Sequence, residues 1–449
     1  MRTIKPLTLF LLILTVTASA QTFSLKQCLD YAKGNNSNIK ISYLNYEISE
    51  KQISEQIGTS MPQINFTGTL DDKLKITTQM LPGEMLGKPG TVIPVKMGTK
   101  YNSTAGFSLT QKIFDPSFWV ALKGARLARS LTDMNIKKTD EDVTYEVSTA
   151  YYRALIINRQ LANIQSILAA SEKLLKATEL RYSNGMAKKL DVDRIRVSFN
   201  NTKSLLDQTE LNYRQALNNL KLKIGMPVEN TLTPVDSLNE NFSVFSEKSQ
   251  SGDIESFKNR IDYQLKLTNV EVQKTYRQNY MAAYLPTLSF NASYNFQAMR
   301  QEFNIFDFSK QWFSSATIGL ELKIPIFSGF SKLSRVQQAK LNVDIANETL
   351  KLAEQSIKVE QSNYSIQYTT AMDNIRSQKE TLDLAESVYS NTQMEFQQGA
   401  ASANDLVQAE SSLKESQNQY YNKLLSLYTA RLDLEKSQGT ITNFINNLK

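Results

Sequence analysis

The sequence predicts a chain of mixed α and β structure: a transmembrane β-barrel, to which each copy supplies four strands, continued by a long α-helical coiled-coil barrel. Three observations predict it. The chain of 449 residues is written twice: Gly185, Asp191 and Gly225 recur as Gly399, Asp405 and Gly439, a constant offset of 214 residues. Four stretches alternate apolar and polar residues over ten to fifteen positions. Two stretches of about 65 residues lack proline and carry seven-residue ladders.

Residues 1–20 read as a signal peptide. Arg2 and Lys5 precede the apolar run Leu7 to Val16, and Ala18-Ser19-Ala20 offers small residues for cleavage before Gln21. No later stretch is apolar enough for a spanning helix, so an exported chain of this kind is either soluble or crosses a membrane as a barrel. The first repeat is expected over 21–224. Helical spacing runs from Ile39 to Ile57, and Cys28, the only cysteine, falls in a helical pattern as a buried thiol. A strand pair follows over 62–114. Ile64, Phe66, Gly68 and Leu70 alternate with Asn65, Thr67, Thr69 and Asp71, and Leu74 and Ile76 carry the parity onward. Tyr101, Ser103, Ala105, Phe107 and Leu109 form the second strand, after a Gly/Pro-rich loop at 78–100 read as extracellular.

A long helical hairpin then occupies 116–224. Pro116 suits a first helical turn, and Val147, Ala154, Leu161, Leu168, Leu175 and Tyr182 make one ladder. At 1.5 Å per residue such a helix is a rod of roughly 100 Å. Asn184-Gly185 ends it, because glycine adopts the left-handed cap without steric cost, and Asp191 enters the first turn of the return helix. The return ladder is Val192, Phe199, Leu206, Tyr213 and Leu220. Residues 225–252 are a connector rich in Ser and Asn. The second repeat, 253–439, holds a strand pair over 286–327 and a helical hairpin over 330–438. Leu288, Phe290, Ala292, Tyr294 and Phe296 alternate with Ser289, Asn291, Ser293, Asn295 and Gln297, and Ile318, Leu320 and Leu322 with Thr317 and Glu321. Gln398-Gly399 turns the second rod, Asp405 opens the return, and Leu406, Leu413, Tyr420, Leu427 and Leu434 are its ladder. A polar tail closes the chain at 440–449.

Composition narrows the function classes. There is no histidine, and neither a GxGxxG nor a P-loop pattern occurs. Ser-His-Asp, Cys-His and zinc-type sites are thereby excluded, and no catalytic residue, cofactor or metal ligand is assigned. The 51 basic residues less Arg2 and Lys5 leave 49 against 44 acidic ones, scattered along helices, so nucleic acid is not an expected partner. Four strands cannot close in lipid, because both edges would leave backbone groups unpaired. Two copies give eight strands and three give twelve, and the residues alone leave the number open.

The strings RYSNGMAKKLDVDRIRVSF and FQQGAASANDLVQAESSL, with FSLKQCLDYAKGNNSNIKISYLNYEISEKQI and NRIDYQLKLTNVEVQKTYRQNYMAAYLPTLSF, occur in an order and duplication that resemble the TolC-like outer-membrane efflux protein family. The resemblance covers essentially the whole mature chain. It implies a homotrimer with a twelve-stranded barrel in outer-membrane lipid and a periplasmic helical tunnel, partnered by a periplasmic adaptor and an inner-membrane pump. The implied function is a passive conduit for small molecules such as drugs. A duct for type I protein secretion is one alternative, and a soluble periplasmic coiled-coil scaffold is another of a different class. By the resemblance Asp405 and Gln408 fall where the family places tunnel-constricting carboxylates, Gln408 being an amide. Asp191 and Arg194 are their counterparts, able to pair across neighbouring helices. Gly185, Gly399, Asn184 and Gln398 mark the tip turns and candidate adaptor contacts. For both aspartates, stabilising a helix start is the simpler role.

Overall fold

A computed structural model describes residues 21–236, 238, 256–307 and 309–447. The signal peptide, most of the connector beyond 238 and the last two residues of the tail lie outside the described residues. Eight strands and eight α-helices are described: β1 (Gln21–Phe23), α1 (Leu25–Asn35), α2 (Ser37–Gly58), β2 (Gln63–Asp72), β3 (Thr78–Pro82), β4 (Val92–Lys96), β5 (Tyr101–Phe114), α3 (Pro116–Ser183), α4 (Lys189–Ile224), β6 (Leu232–Pro234), α5 (Ile261–Ala282), β7 (Thr287–Arg300), β8 (Phe313–Lys323), α6 (Ser331–Gln398), α7 (Ala403–Gln438) and α8 (Ile441–Asn447). The two rods α3 and α6 are each 68 residues long, and the two return helices α4 and α7 each 36. The chain forms two compact units, one of 1–44, 134–264 and 351–449, the other of 45–133 and 265–350. Each unit draws on both halves of the sequence.

The second unit is built around one antiparallel sheet in the order β2-β5-β7-β8. The strand pairs expected to stand apart therefore join, through β5 and β7. The register decides the chemistry of the faces. Ile64 and Phe66 lie opposite Leu109 and Phe107, which lie opposite Ala292 and Tyr294. Ala292 and Phe290 in turn oppose Ile318 and Leu320. Side chains alternate along a strand, so one face of the sheet is apolar across all four strands. The other carries Asn65, Ser108, Ser293 and Thr317 in one row. The apolar face is exposed: Ile64 by 67%, Ile318 by 78% and Leu320 by 67%.

Two details of this unit differ from the sequence expectation. β2 stops at Asp72, and Leu74 lies beyond it, 90% exposed, because the pairing with the β5 side ends at the bond from Lys73 N to Lys100 O, 2.8 Å. Residues 78–100, read as a loop, contain the small hairpin β3–β4, with Thr78 opposite Lys96 and Pro82 opposite Val92.

The first unit is helical. α1 starts at a reciprocal cap, in which Gln27 N donates to Ser24 Oγ and Ser24 N donates to Gln27 Oε1. Its Leu25, Cys28, Leu29 and Ala32 enter a core with Val143, Val147, Tyr151 and Ala154 of α3, and Leu220 and Ile224 of α4. Cys28 is fully buried, and desolvation, followed by the charge of Asp236, pushes its thiol up to about 12. It is an inert packing residue. The tail after Gly439, read as polar, is the helix α8, whose Ile441 and Ile445 are buried in the same core. Tyr368, Met372, Ile375 and Leu382 of α6 pack on Leu413, Tyr420, Leu424, Leu427 and Leu434 of α7. Each fully buried leucine there contributes about 1.5–3 kcal/mol. The buried Arg260 holds Asp262 and Glu360, each at 2.9 Å, and the partly exposed Lys436 holds Asp142 at 2.8 Å.

α4 packs differently from its ladder. Leu220 and Val192 are buried, but Phe199, Leu206 and Tyr213 are only half-buried. The buried seam is Ile195, Thr202, Thr209 and Ala216, the same seven-residue period shifted by three. The threonine hydroxyls satisfy themselves on the preceding turn, Thr202 on Ser198 O at 2.9 Å and Thr209 on Leu205 O at 2.8 Å. Small side chains let backbones come close, and α4 with α7 is the closest pair among the long helices.

Candidate functional site: the hairpin tips

Both tips are made by the same local chemistry. At the first, Gly185 has φ +72°. Met186 N donates to Arg181 O at 2.8 Å and Gly185 N to Tyr182 O at 2.9 Å. At the second, Gly399 has φ +80°. Ala400 N donates to Glu395 O at 2.8 Å and Gly399 N to Phe396 O at 3.1 Å. These paired bonds close the last carbonyls of each rod on a left-handed residue, which glycine alone adopts freely. Asn184 and Gln398, the residues before each glycine, are exposed. Around the first tip Leu180, Tyr182, Met186 and Leu190 are exposed as well, Met186 by 71%. Tyr182, the last rung of the α3 ladder in the sequence, is exposed because the rod ends there; Leu180, Met186 and Leu190 were not singled out from the sequence.

The return helices start unequally. Asp405 N donates to Ser402 Oγ at 3.2 Å, Ser402 N donates to Asp405 Oδ2 at 3.1 Å, and Ser402 Oγ donates to the same oxygen at 2.6 Å. These bonds from Ser402, its hydroxyl first and its backbone second, hold the Asp405 carboxyl below the usual aspartate range. At the first tip the matching position is Lys188, whose side chain has no acceptor. Only Lys188 N to Asp191 Oδ2, at 3.4 Å, remains. Both aspartates thus stabilise helix starts, and Asp405 does so more completely.

The constriction candidates are placed as follows. Asp405 and Gln408 are exposed on one face of α7 and share a groove with Leu384, Val388 and Thr392 of α6. Asp191 is half-buried and Arg194 exposed, and no ion pair joins them among the described residues of the chain. Arg196, two residues further on, pairs with Glu179 at 2.8 Å. The second rod is tied to the first at its end: Arg181 of α3 donates to Gln397 O at 2.7 Å and Phe396 O at 3.4 Å. Beneath, Leu174, Ile195, Phe396, Ala403 and Leu406 form a small apolar cluster of all four helices.

A sheet with one exposed apolar face and paired long helices with glycine tips is a recognisable combination. A family profile described as "Outer membrane efflux protein" matches residues 28–226 and 268–440. The chain belongs to this family. It is 21% identical over 348 residues to the outer membrane protein TolC of Vibrio cholerae, covering 76% of this chain and 77% of that one. It is 18% identical over 324 residues to the proteases secretion protein PrtF of Dickeya chrysanthemi, covering 72% and 67%. Among solved structures CusC superposes with a TM-score of 0.74 at 16% identity, covering 92% of each chain, a likeness of fold. The protein is thus an outer-membrane efflux channel component of the TolC type, and the soluble-scaffold alternative falls away.

Proposed function

We propose that this chain is one subunit of a homotrimer that forms a passive conduit for small molecules, served by a periplasmic adaptor and an inner-membrane pump. The observation that carries the reading is the sheet β2-β5-β7-β8, whose edge strands β2 and β8 pair with no further strand among the described residues. Its apolar face suits lipid, yet open edges in lipid leave backbone donors and acceptors unsatisfied at several kcal/mol each. Further copies close the wall, and three bring twelve strands, enough for a lumen lined by the polar row of Asn65, Ser108, Ser293 and Thr317. The helices support the same reading. Leu352, Val359 and Ile366 form a seven-residue stripe on α6, each about 60% exposed in the single chain, as a face that awaits a second copy would be.

On this reading the halves of the chain are tandem repeats, the helices reach through the periplasm, and Asp405 with Gln408 narrows the tunnel end. The exposed Leu180, Tyr182, Met186 and Leu190 beside Gly185 offer apolar contact to the adaptor. The conduit needs no chemistry of its own, because the pump supplies the energy. A duct for secreted protein is the second reading, favoured by the similarity to PrtF; exported substrate assayed with and without the chain separates the two. Native mass measurement of the detergent-extracted protein tests the assembly. Three chains per particle are expected, and a monomer that still conducts in planar bilayers would overturn it.

A further inference from the structure

Five residues beyond Asp405 lies Glu410, whose side chain is 2% exposed. At the matching position of the first half stands Arg196, which is exposed, so the duplication does not account for a buried carboxylate here. Three helices converge on it. Ser171 of α3 donates to Oε1 at 3.0 Å, Ser198 of α4 to Oε2 at 3.0 Å, and Lys414 of α7 to Oε1 at 3.1 Å. Thr202 of α4 accepts from Lys414 Nζ at 3.0 Å and lies 3.3 Å from Oε1. The fourth helix, α6, gives the cluster no hydrogen bond among the described residues. Its Tyr389 keeps a buried hydroxyl without a partner, pushed up to about 12 by desolvation and then by the charge of Glu410.

We infer that Glu410 is a positioning residue: a clasp that ties the first turns of α7 to the α3–α4 hairpin and leaves α6 outside the tie. A carboxylate removed from water is tolerated only while its donors stay in place. Sliding α7 along α4 strips Glu410 of Ser198 and Ser171 before water can replace them. The end of α6 is held instead by the packing of Phe396 in the small apolar cluster and by Arg181 on its backbone carbonyls. The turns of α7 that carry Asp405 and Gln408 stay with α3 and α4. Only the effect of the clasp on conduction rests on the proposed constriction; the clasp itself does not.

Hydrogen exchange of the full-length protein in lipid nanodiscs, read by mass spectrometry, tests it alongside single-channel recording. E410Q and K414M each leave the other member of the pair without its opposite charge, so each raises exchange at 403–414 of α7 and 195–205 of α4 by about tenfold or more. The double variant E410Q/K414M exchanges less than the product of the two single effects, because it leaves no orphan charge. Residues 382–396 of α6 stay as in the parent. S171A, which removes one donor and no charge, shifts the same α7 and α4 segments by a smaller factor and serves where E410Q fails to reach the membrane. Unchanged exchange in α7 and α4, a rise confined to α6, or strict additivity of the two charge variants overturns the clasp. If exchange behaves as expected while conductance stays at the parent value, the clasp stands and the constriction at Asp405 and Gln408 is what fails.

Discussion

At the scale of single residues, the helix starts that follow the two tips differ in one capping oxygen. Ser402 provides an oxygen at the start of α7, and Lys188 provides none at the start of α4. S402A therefore removes both the acceptor for Asp405 N and a donor to its carboxylate. The Asp405 titration midpoint should move up toward the ordinary aspartate range of about 3.9, and exchange of the first α7 turn should speed up several-fold. K188A should leave exchange at its own tip unchanged, whereas K188S completes the missing half and should slow exchange there. The sign of the pH effect follows from the direction of the shift. The Asp405 carboxyl is held low in the folded chain, so its stabilisation of the turn is full above the unfolded aspartate pKa. It is lost as pH falls through the folded value. A first turn of α7 that keeps its exchange protection on acidification through that window would contradict this account.

At the scale of elements, close approach decides what each position tolerates. Gly106 of β5 sits opposite Asn295 of β7, and a Cβ there would lie 2.1 Å from Asn295 Oδ1 and 2.6 Å from Tyr294 O. G106A forces β5 and β7 apart and should sharply reduce the folded protein recovered in the outer-membrane fraction. G399A meets no neighbour and should instead cost the turn about 1–2 kcal/mol through its positive φ, with assembly retained. The same logic separates what was legible in the sequence from what was not. The period-2 strands and the α7 ladder could be read because Ile318, Leu320, Leu406 and Leu427 are large and apolar at fixed intervals. The seam of α4 could not, because Thr202, Thr209 and Ala216 look like surface residues until a neighbouring backbone is known to come close. Glu410 escaped for the same reason: a glutamate on a charged helix reads as solvated, and only the arrival of Ser171 and Ser198 from other helices makes it an inner charge. The tip turns were legible to the residue, since Gly185 and Gly399 are set by local backbone chemistry alone.

At the scale of the whole molecule, the proposed assembly requires that the two faces of the sheet meet different surroundings. Ile318 and Leu320 belong to the apolar face and Thr317 to the polar one, within four positions of a single strand. An arginine at the bilayer midplane on a lipid-facing position is unfavourable by about 2–4 kcal/mol, whereas a lumen-facing position takes charge at little expense in stability. I318R or L320R should therefore deplete the protein from the outer-membrane fraction. T317R should insert and assemble normally, and its change should appear in single-channel recordings as lower conductance with a shift toward anion selectivity. The contrast between adjacent residues controls for strand propensity, sequence context and expression, since all three substitutions lie on β8. Equal loss of I318R and T317R from the membrane would mean that both faces are packed in protein or lipid. In that case no water-filled wall is built from these strands, and the conduit would have to be sought in the helices alone.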